Sequence, residues 1–167
     1  NQVIGVRSTQ KEIISDIVVS NMDVYHTYNK LLPHLDTPIN VIKNERSSSA
    51  LIFYWGINGT FPNLDLHNII FSSNYKKEFD KIFREKDISD DPTIYINISK
   101  KDVKDHAPKD KENWYVMINV PWNEDQNWDI KKSQLRKNVI NKINATLSID
   151  INSLIETEKI ITPKNIS

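Results

Sequence analysis

Two stretches constrain this chain more than any others: residues 93–99 and 113–120 alternate strictly between apolar and other side chains. In the first, Ile94, Ile96 and Ile98 share one side, and Tyr95, Asn97 and Ser99 the other. In the second, Trp114, Val116 and Ile118 oppose Tyr115, Met117 and Asn119. Successive side chains of a strand point to opposite faces, so a period of two reads as half-buried strands. Their apolar faces need a cover. Two helical patterns supply it, one marked by Tyr75, Phe79, Ile82 and Phe83, the other by Ile130, Leu135, Val139, Ile140, Ile143 and Leu147. The expected class is α+β: a mixed, mainly antiparallel sheet with two amphipathic helices packed on one face.

Further strands are expected over 1–7, 12–20, 48–57, 66–71 and 156–161. A helix is expected from Asp23 to Leu32, capped by Asn21 or Asp23 and stopped by Pro33. Residues 33–47 are polar, carry Pro33 and Pro38, and read as a connector. Two parts follow, 1–33 and 34–167.

Composition excludes several functions. Lys plus Arg and Asp plus Glu are 22 each, so the net charge is zero and no electrostatic footprint for nucleic acid exists. The absence of cysteine removes disulfides, thiolate zinc sites and a cysteine nucleophile. Three glycines, Gly5, Gly56 and Gly59, are too few and too scattered for a dinucleotide fingerprint or a phosphate-cradling loop. The longest uncharged run, Ser47 to Leu64, holds serines, asparagines and a proline, and cannot cross a bilayer as one apolar helix. The chain opens on Asn1 inside an expected strand, which reads as a piece of a longer protein.

No self-contained active site emerges. The four histidines, His26, His34, His67 and His106, do not pair at metal-ligand spacing. His67 lies in an expected strand, where a lone histidine is more often hydrogen-bonded structure than catalyst. Ser47 to Ser49 lack a nucleophile elbow, and Asp90 and Asp91 read as turn residues before Pro92. With 19 asparagines in the chain, its four glycosylation-type triplets are expected by chance. The side carrying Tyr95, Asn97, Tyr115, Met117 and Asn119 is neither ordinary core nor ordinary surface. Either it is solvated, or something packs on it.

A series of segments resembles the bacterial carotenoid desaturases, flavoproteins of the phytoene-desaturase type. They are Ser20-Asn21-Met22-Asp23-Val24-Tyr25-His26-Thr27-Tyr28 with Leu31-Leu32, then Phe53-Tyr54-Trp55-Gly56-Ile57. Leu66 to Ser72 follows, running through Tyr75, Glu78 and Phe79 to Phe83. Asp91-Pro92-Thr93-Ile94-Tyr95, Ala107-Pro108, Glu112 to Val116, Val120-Pro121, Trp128-Asp129 and Thr162-Pro163 complete the order. The family's two glycine-rich flavin-contacting segments are missing, and so is a glycine the family tends to carry near Asp110.

The resemblance implies that residues 1–33 are the end of a flavin-binding domain and 34–167 a substrate-binding domain. It implies flavin adenine dinucleotide (FAD) in the full-length parent and none in this fragment, which would be inactive alone. A carotenoid or other long apolar substrate and the enzyme's own flavin domain would be its partners. The parent would be cytoplasmic and peripherally membrane-associated. Phe53, Trp55, His67, Tyr95, Asn97, Tyr115 and Met117 are the candidate substrate-binding residues. Phe53 and Trp55 read equally well as core, because both sides of their strand are apolar. No catalytic residue is carried over. The competing reading is a non-enzymatic α+β module that binds a hydrophobic ligand or a partner protein.

Overall fold

The computed structural model describes residues 2–44, 47–122 and 126–166. They form two compact units, Asn1–Glu45 and Arg46–Ser167. Residues 34–44 of the expected connector thus group with the first unit.

In the first unit, β1 (Gly5–Arg7) and β2 (Glu12–Ile14) pair antiparallel, with Val6 opposite Ile13. Ser8 closes their turn, its hydroxyl accepting from the amides of Gln10 and Lys11. Pairing stops at Ile14, well short of the strand expected to reach Ser20. Ile17 and Val19 lie beyond it, 78% and 85% exposed. Asp23 caps α1 (Val24–His26) by accepting from the Tyr25 amide at 2.9 Å. The helix then widens into a π turn over Thr27–Leu31, closed by a bond from the Leu32 amide to the Thr27 carbonyl. A short α2 (Ile39–Lys43) follows Pro38, within the stretch expected to be irregular.

The second unit is built on a five-stranded sheet. Its elements are β3 (Ser49–Ile57), β4 (His67–Ile70), α3 (Tyr75–Phe83), β5 (Ile94–Asn97), β6 (Glu112–Val120), α4 (Trp128–Leu147), α5 (Ile151–Leu154), β7 (Ile155–Ile161) and α6 (Pro163–Ile166). The strand order is β4-β5-β6-β3-β7, and every pairing is antiparallel. β3 pairs with β6 over its full length, from Ser49 opposite Val120 to Ile57 opposite Glu112.

The core lies on one face. Leu51, Phe53, Trp55 and Ile57 of β3, Ile94 and Ile96 of β5, and Trp114, Val116, Ile118 and Val120 of β6 are all buried there. Leu135, Val139, Ile140 and Ile143 of α4, with Ile151 of α5, join the same cluster. Burial of each large side chain contributes about 1.5–3 kcal/mol. Ile130, expected on the α4 stripe, is instead 70% exposed.

In α3 the inward residues are Glu78 and Ile82. Glu78 accepts from the Thr93 amide at 2.7 Å and the Thr93 hydroxyl at 2.6 Å, tying the helix to the start of β5. The aromatic stripe is turned sideways in consequence. Tyr75, Phe79 and Phe83 stack along the helix with centroids 4.6 and 5.8 Å apart, and Tyr75 is exposed. A second buried carboxylate, Glu112, accepts from Trp114 Nε1 and the Phe61 amide and pairs with Lys101 at 2.7 Å. No buried side-chain nitrogen or oxygen among the described residues lacks a partner.

The loop between β5 and β6 holds two 3-10 turns, Ser99–Lys101 and Lys104–His106. The Lys100 ammonium ties it together by donating to the carbonyls of Lys104 and Ala107. Asp110 sits in this loop with φ at 58°, the left-handed region that favours glycine.

Candidate functional site

The face of the sheet opposite the core gathers most of the candidate residues. Register fixes two rows across the strands. In the first, His67 lies opposite Asn97, Asn97 opposite Tyr115, Tyr115 opposite Tyr54, and Tyr54 opposite Lys159. In the second, Ile69 lies opposite Tyr95, Tyr95 opposite Met117, Met117 opposite Ile52, and Ile52 opposite Ile161. One row is aromatic and polar, its neighbour mainly apolar. Neither carries a carboxylate. The rows stand two residues apart along each strand, about 7 Å.

Rings interlock across three strands. Tyr95 meets Tyr115 at 6.2 Å between centroids, and His67 stacks on Tyr95 at 6.0 Å. His67 Nδ1 lies 2.7 Å from the Tyr95 hydroxyl and 3.2 Å from Asn97 Nδ2, which also donates to the Leu66 carbonyl. Among the described residues, the Tyr115 hydroxyl donates to Met117 Sδ at 3.5 Å, a weak acceptor. Burial, and then the neighbouring Tyr54 and Tyr95, push the Tyr115 phenol above its ordinary value, so it remains a neutral donor. Beyond the polar row lies an open depression of about 540 Å³. Tyr54, Gly56, Asn97, Asn113, Tyr115 and Thr157 are among the residues that line it.

Five of the seven candidates, His67, Tyr95, Asn97, Tyr115 and Met117, therefore share this face, together with Asn119. Phe53 and Trp55 do not. They are buried on the helix side at 0% and 2% exposure, in ring contact at 5.4 Å. Trp55 Nε1 donates to Glu158, which Arg136 also engages. The sequence reading missed Tyr54. It alternates with Phe53 and Trp55, but two apolar sides conceal which parity faces outward. Only the pairing with Tyr115 resolves it.

The face presents neutral hydroxyls, one imidazole and apolar surface. Such a surface suits an uncharged, flat or elongated ligand. It offers no activated nucleophile. Among the described residues, no group of three or more His, Asp or Glu could hold a metal ion. No helix among them is long and apolar enough to cross a membrane.

No family model matches the chain. Curated relatives do. The chain is 50% identical over 166 residues to a protein of Flavobacterium sp. named 1-hydroxycarotenoid 3,4-desaturase, covering 99% of this chain and 34% of that one. It is 32% identical over 179 residues to the phytoene desaturase of Fusarium fujikuroi, covering 95% of this chain and 31% of that one. It is also 32% identical over 170 residues to the 4,4'-diaponeurosporene oxygenase of Staphylococcus aureus, covering 99% of this chain and 34% of that one. The chain spans about a third of the length of the curated relatives it matches. Across nearly the whole of its own length, then, the chain is similar to one segment of these carotenoid desaturases and oxygenases.

Proposed function

We propose that this chain is the substrate-binding segment of a flavin-dependent carotenoid desaturase, an oxidoreductase that converts a C–C single bond of a polyene precursor into a double bond. The observation that carries this reading is the aromatic, carboxylate-free outer face of the sheet in a chain half identical to a 1-hydroxycarotenoid 3,4-desaturase. Burial of a long hydrocarbon against Ile52, Tyr95 and Met117 would supply affinity at roughly 25 cal/mol per Å². Register-fixed strands would hold the reacting carbons in one orientation.

The residues present do not fit a flavin. Gly5 and Gly56 lie within strands and Gly59 in the turn after β3, so none opens a strand-to-helix turn able to take a pyrophosphate. FAD would be held by the two thirds of the relatives' length that this chain does not match. The chain's own task is to bind and orient the polyene and to shield it from water. The substrate is a membrane-dissolved hydrocarbon, so the parent would be a cytoplasmic protein resting peripherally on the bilayer.

The test is expression of the full-length protein in a host that accumulates acyclic carotenoids. Added double bonds lengthen the conjugated system and shift the pigment's absorption to longer wavelength. An unchanged pigment spectrum, with the protein expressed and carrying flavin, would refute the proposal. A parent reading frame without a strand and glycine-rich turn upstream of residue 1 would favour a non-enzymatic module.

A further inference from the structure

At its end β3 runs into a turn over residues 58–60. Of the 19 asparagines in the chain, Asn58 alone is followed by a glycine. Its side chain is exposed and makes no hydrogen bond among the described residues, and the backbone amide of Gly59 makes none either. Gly59 holds φ at 144°, in the region that favours glycine, and a Cβ there would meet no heavy atom within 4 Å beyond its chain neighbours. The chain on either side is tied down. The Asn58 amide donates to the Leu154 carbonyl at 2.8 Å, the Phe61 amide to Glu112 at 3.1 Å, and the Phe61 ring meets Trp114 at 5.1 Å. Other asparagines are engaged through their side chains, as Asn68, Asn74, Asn113 and Asn144 illustrate. Asn152, followed by the small Ser153, lies in α5 and accepts from Arg136 Nη1 at 3.0 Å.

We propose that Asn58 is a site of spontaneous covalent modification, deamidated by the backbone nitrogen of Gly59. That nitrogen gives up its proton and attacks Asn58 Cγ. A C–N bond forms, the Cγ–Nδ2 bond breaks, and the side-chain nitrogen leaves as ammonia, carrying a proton in place of the one the amide lost. Water then opens the resulting five-membered succinimide at one of its two carbonyls. One opening gives aspartate; the other gives isoaspartate, with Cβ drawn into the main chain. Water is the one co-reactant, and no atom is oxidised or reduced. A side chain on the following residue would crowd the attack, and glycine has none. A hydrogen bond from the Gly59 amide would hold back its proton, and a partner on the Asn58 carboxamide would hold that group away; neither restraint is present among the described residues. Either product places a negative charge on a chain whose net charge is zero. The isoaspartate also adds a main-chain atom to a turn tied at both ends. The step does not reverse, so the modified fraction grows with the age of the molecule.

The test ages the full-length protein at mildly alkaline pH, where the Gly59 amide loses its proton more readily, and follows each asparagine-bearing peptide by mass spectrometry. The peptide carrying Asn58 should be the first to show the mass gain of an amide turned acid. Isoaspartate in it should accept a methyl group from an isoaspartyl methyltransferase. Asn58→Gln, which could close only a larger ring, should leave that peptide unmodified. The same ageing in guanidinium chloride supplies the rate for the unfolded chain. A turn that opens at almost no cost should react in the native protein within about tenfold of that rate. A native rate slower than this would mean that the folded protein shields Asn58, and it overturns the proposal. So does earlier modification of any other asparagine.

Discussion

Tyr54 and Tyr115 stand directly opposite each other on β3 and β6, ring centroids 5.4 Å apart and planes at 74°. This edge-to-face contact sets the positive rim of one ring against the negative face of the other. Tyr95 repeats it with Tyr115 at 71°, so three rings brace one another across β5, β6 and β3. A face stiffened in this way presents a fixed surface to a ligand and loses little side-chain freedom on binding.

Replacement of both Tyr95 and Tyr115 by Ala tests whether that surface meets substrate. Both rings are half-buried and stand outside the core cluster, so stability should fall only by about 1–2 kcal/mol, the worth of the lost ring contacts. Desaturase activity of the full-length enzyme should fall at least about tenfold, because apolar and aromatic contact area with the polyene is removed. Circular dichroism and turnover measured on the same preparation separate the two effects. Unfolding without a specific loss of turnover would assign the rings to the fold rather than to the ligand.

Phe53 and Trp55 should behave in the opposite way. Each is enclosed between the sheet and α4, and truncation to Ala leaves a cavity that the neighbours fill only in part. A loss of about 3–5 kcal/mol is expected for either variant. Activity should then track the folded fraction, recovering at low temperature with KM unchanged. A raised KM in a fully folded Phe53→Ala protein would return that residue to the binding surface.

The contrast between these two pairs marks how far sequence alone reaches. β5 and β6 were legible because each buries one face, and a period of two then names the core side outright. β3 was not, since Leu51 to Trp55 is apolar at every position and alternation carries no information. Which parity faces the helices is decided by pairing with β6, a contact some sixty residues distant in sequence. The run Ile17-Val18-Val19 misled in the other direction. Its composition favours a strand, yet no described strand pairs with it. The short helices α2, α5 and α6 hold four or five residues each, too few to leave a periodic pattern. The resemblance to carotenoid desaturases was legible only as an ordered series of short segments, none of which carries catalytic residues.

Asp110 offers a test of backbone strain. A left-handed residue with a Cβ costs roughly 1–2 kcal/mol, somewhat less for Asp than for larger side chains. No side-chain hydrogen bond or ion pair of Asp110 is seen to offset this. Asp110→Gly should therefore raise stability by about 0.5–1 kcal/mol, after allowance for the greater freedom of glycine in the unfolded chain. Asp110→Val should lower it. Denaturant midpoints for the three proteins order them Gly, Asp, Val; any other order would mean that the loop relaxes rather than holding φ at 58°.

Asp91 supplies a pH dependence with a defined sign. Burial works to raise its pKa, but the Lys142 ammonium and the Ser73 hydroxyl and amide together outweigh burial and hold it at about 2, against an ordinary value of 3.8. The Lys142 head group also donates to the Pro92 carbonyl at 2.8 Å, so this ion pair joins α4 to the start of β5. A carboxylate whose folded pKa lies below its unfolded one contributes stability in full above the unfolded value. That contribution is lost as pH falls from about 4 through 2. The Asp91 side chain is 42% exposed, so solvent screening cuts the contribution to about 1 kcal/mol. Asp87 and Asp129 are depressed as well, which makes the difference between wild type and variant the informative quantity. Urea unfolding of wild type and Asp91→Asn should show the variant about 1 kcal/mol less stable at pH 7, with the gap closing between pH 4 and pH 2. A gap that stays constant across this range would mean that the Asn side chain disturbs packing and that the ion pair adds nothing.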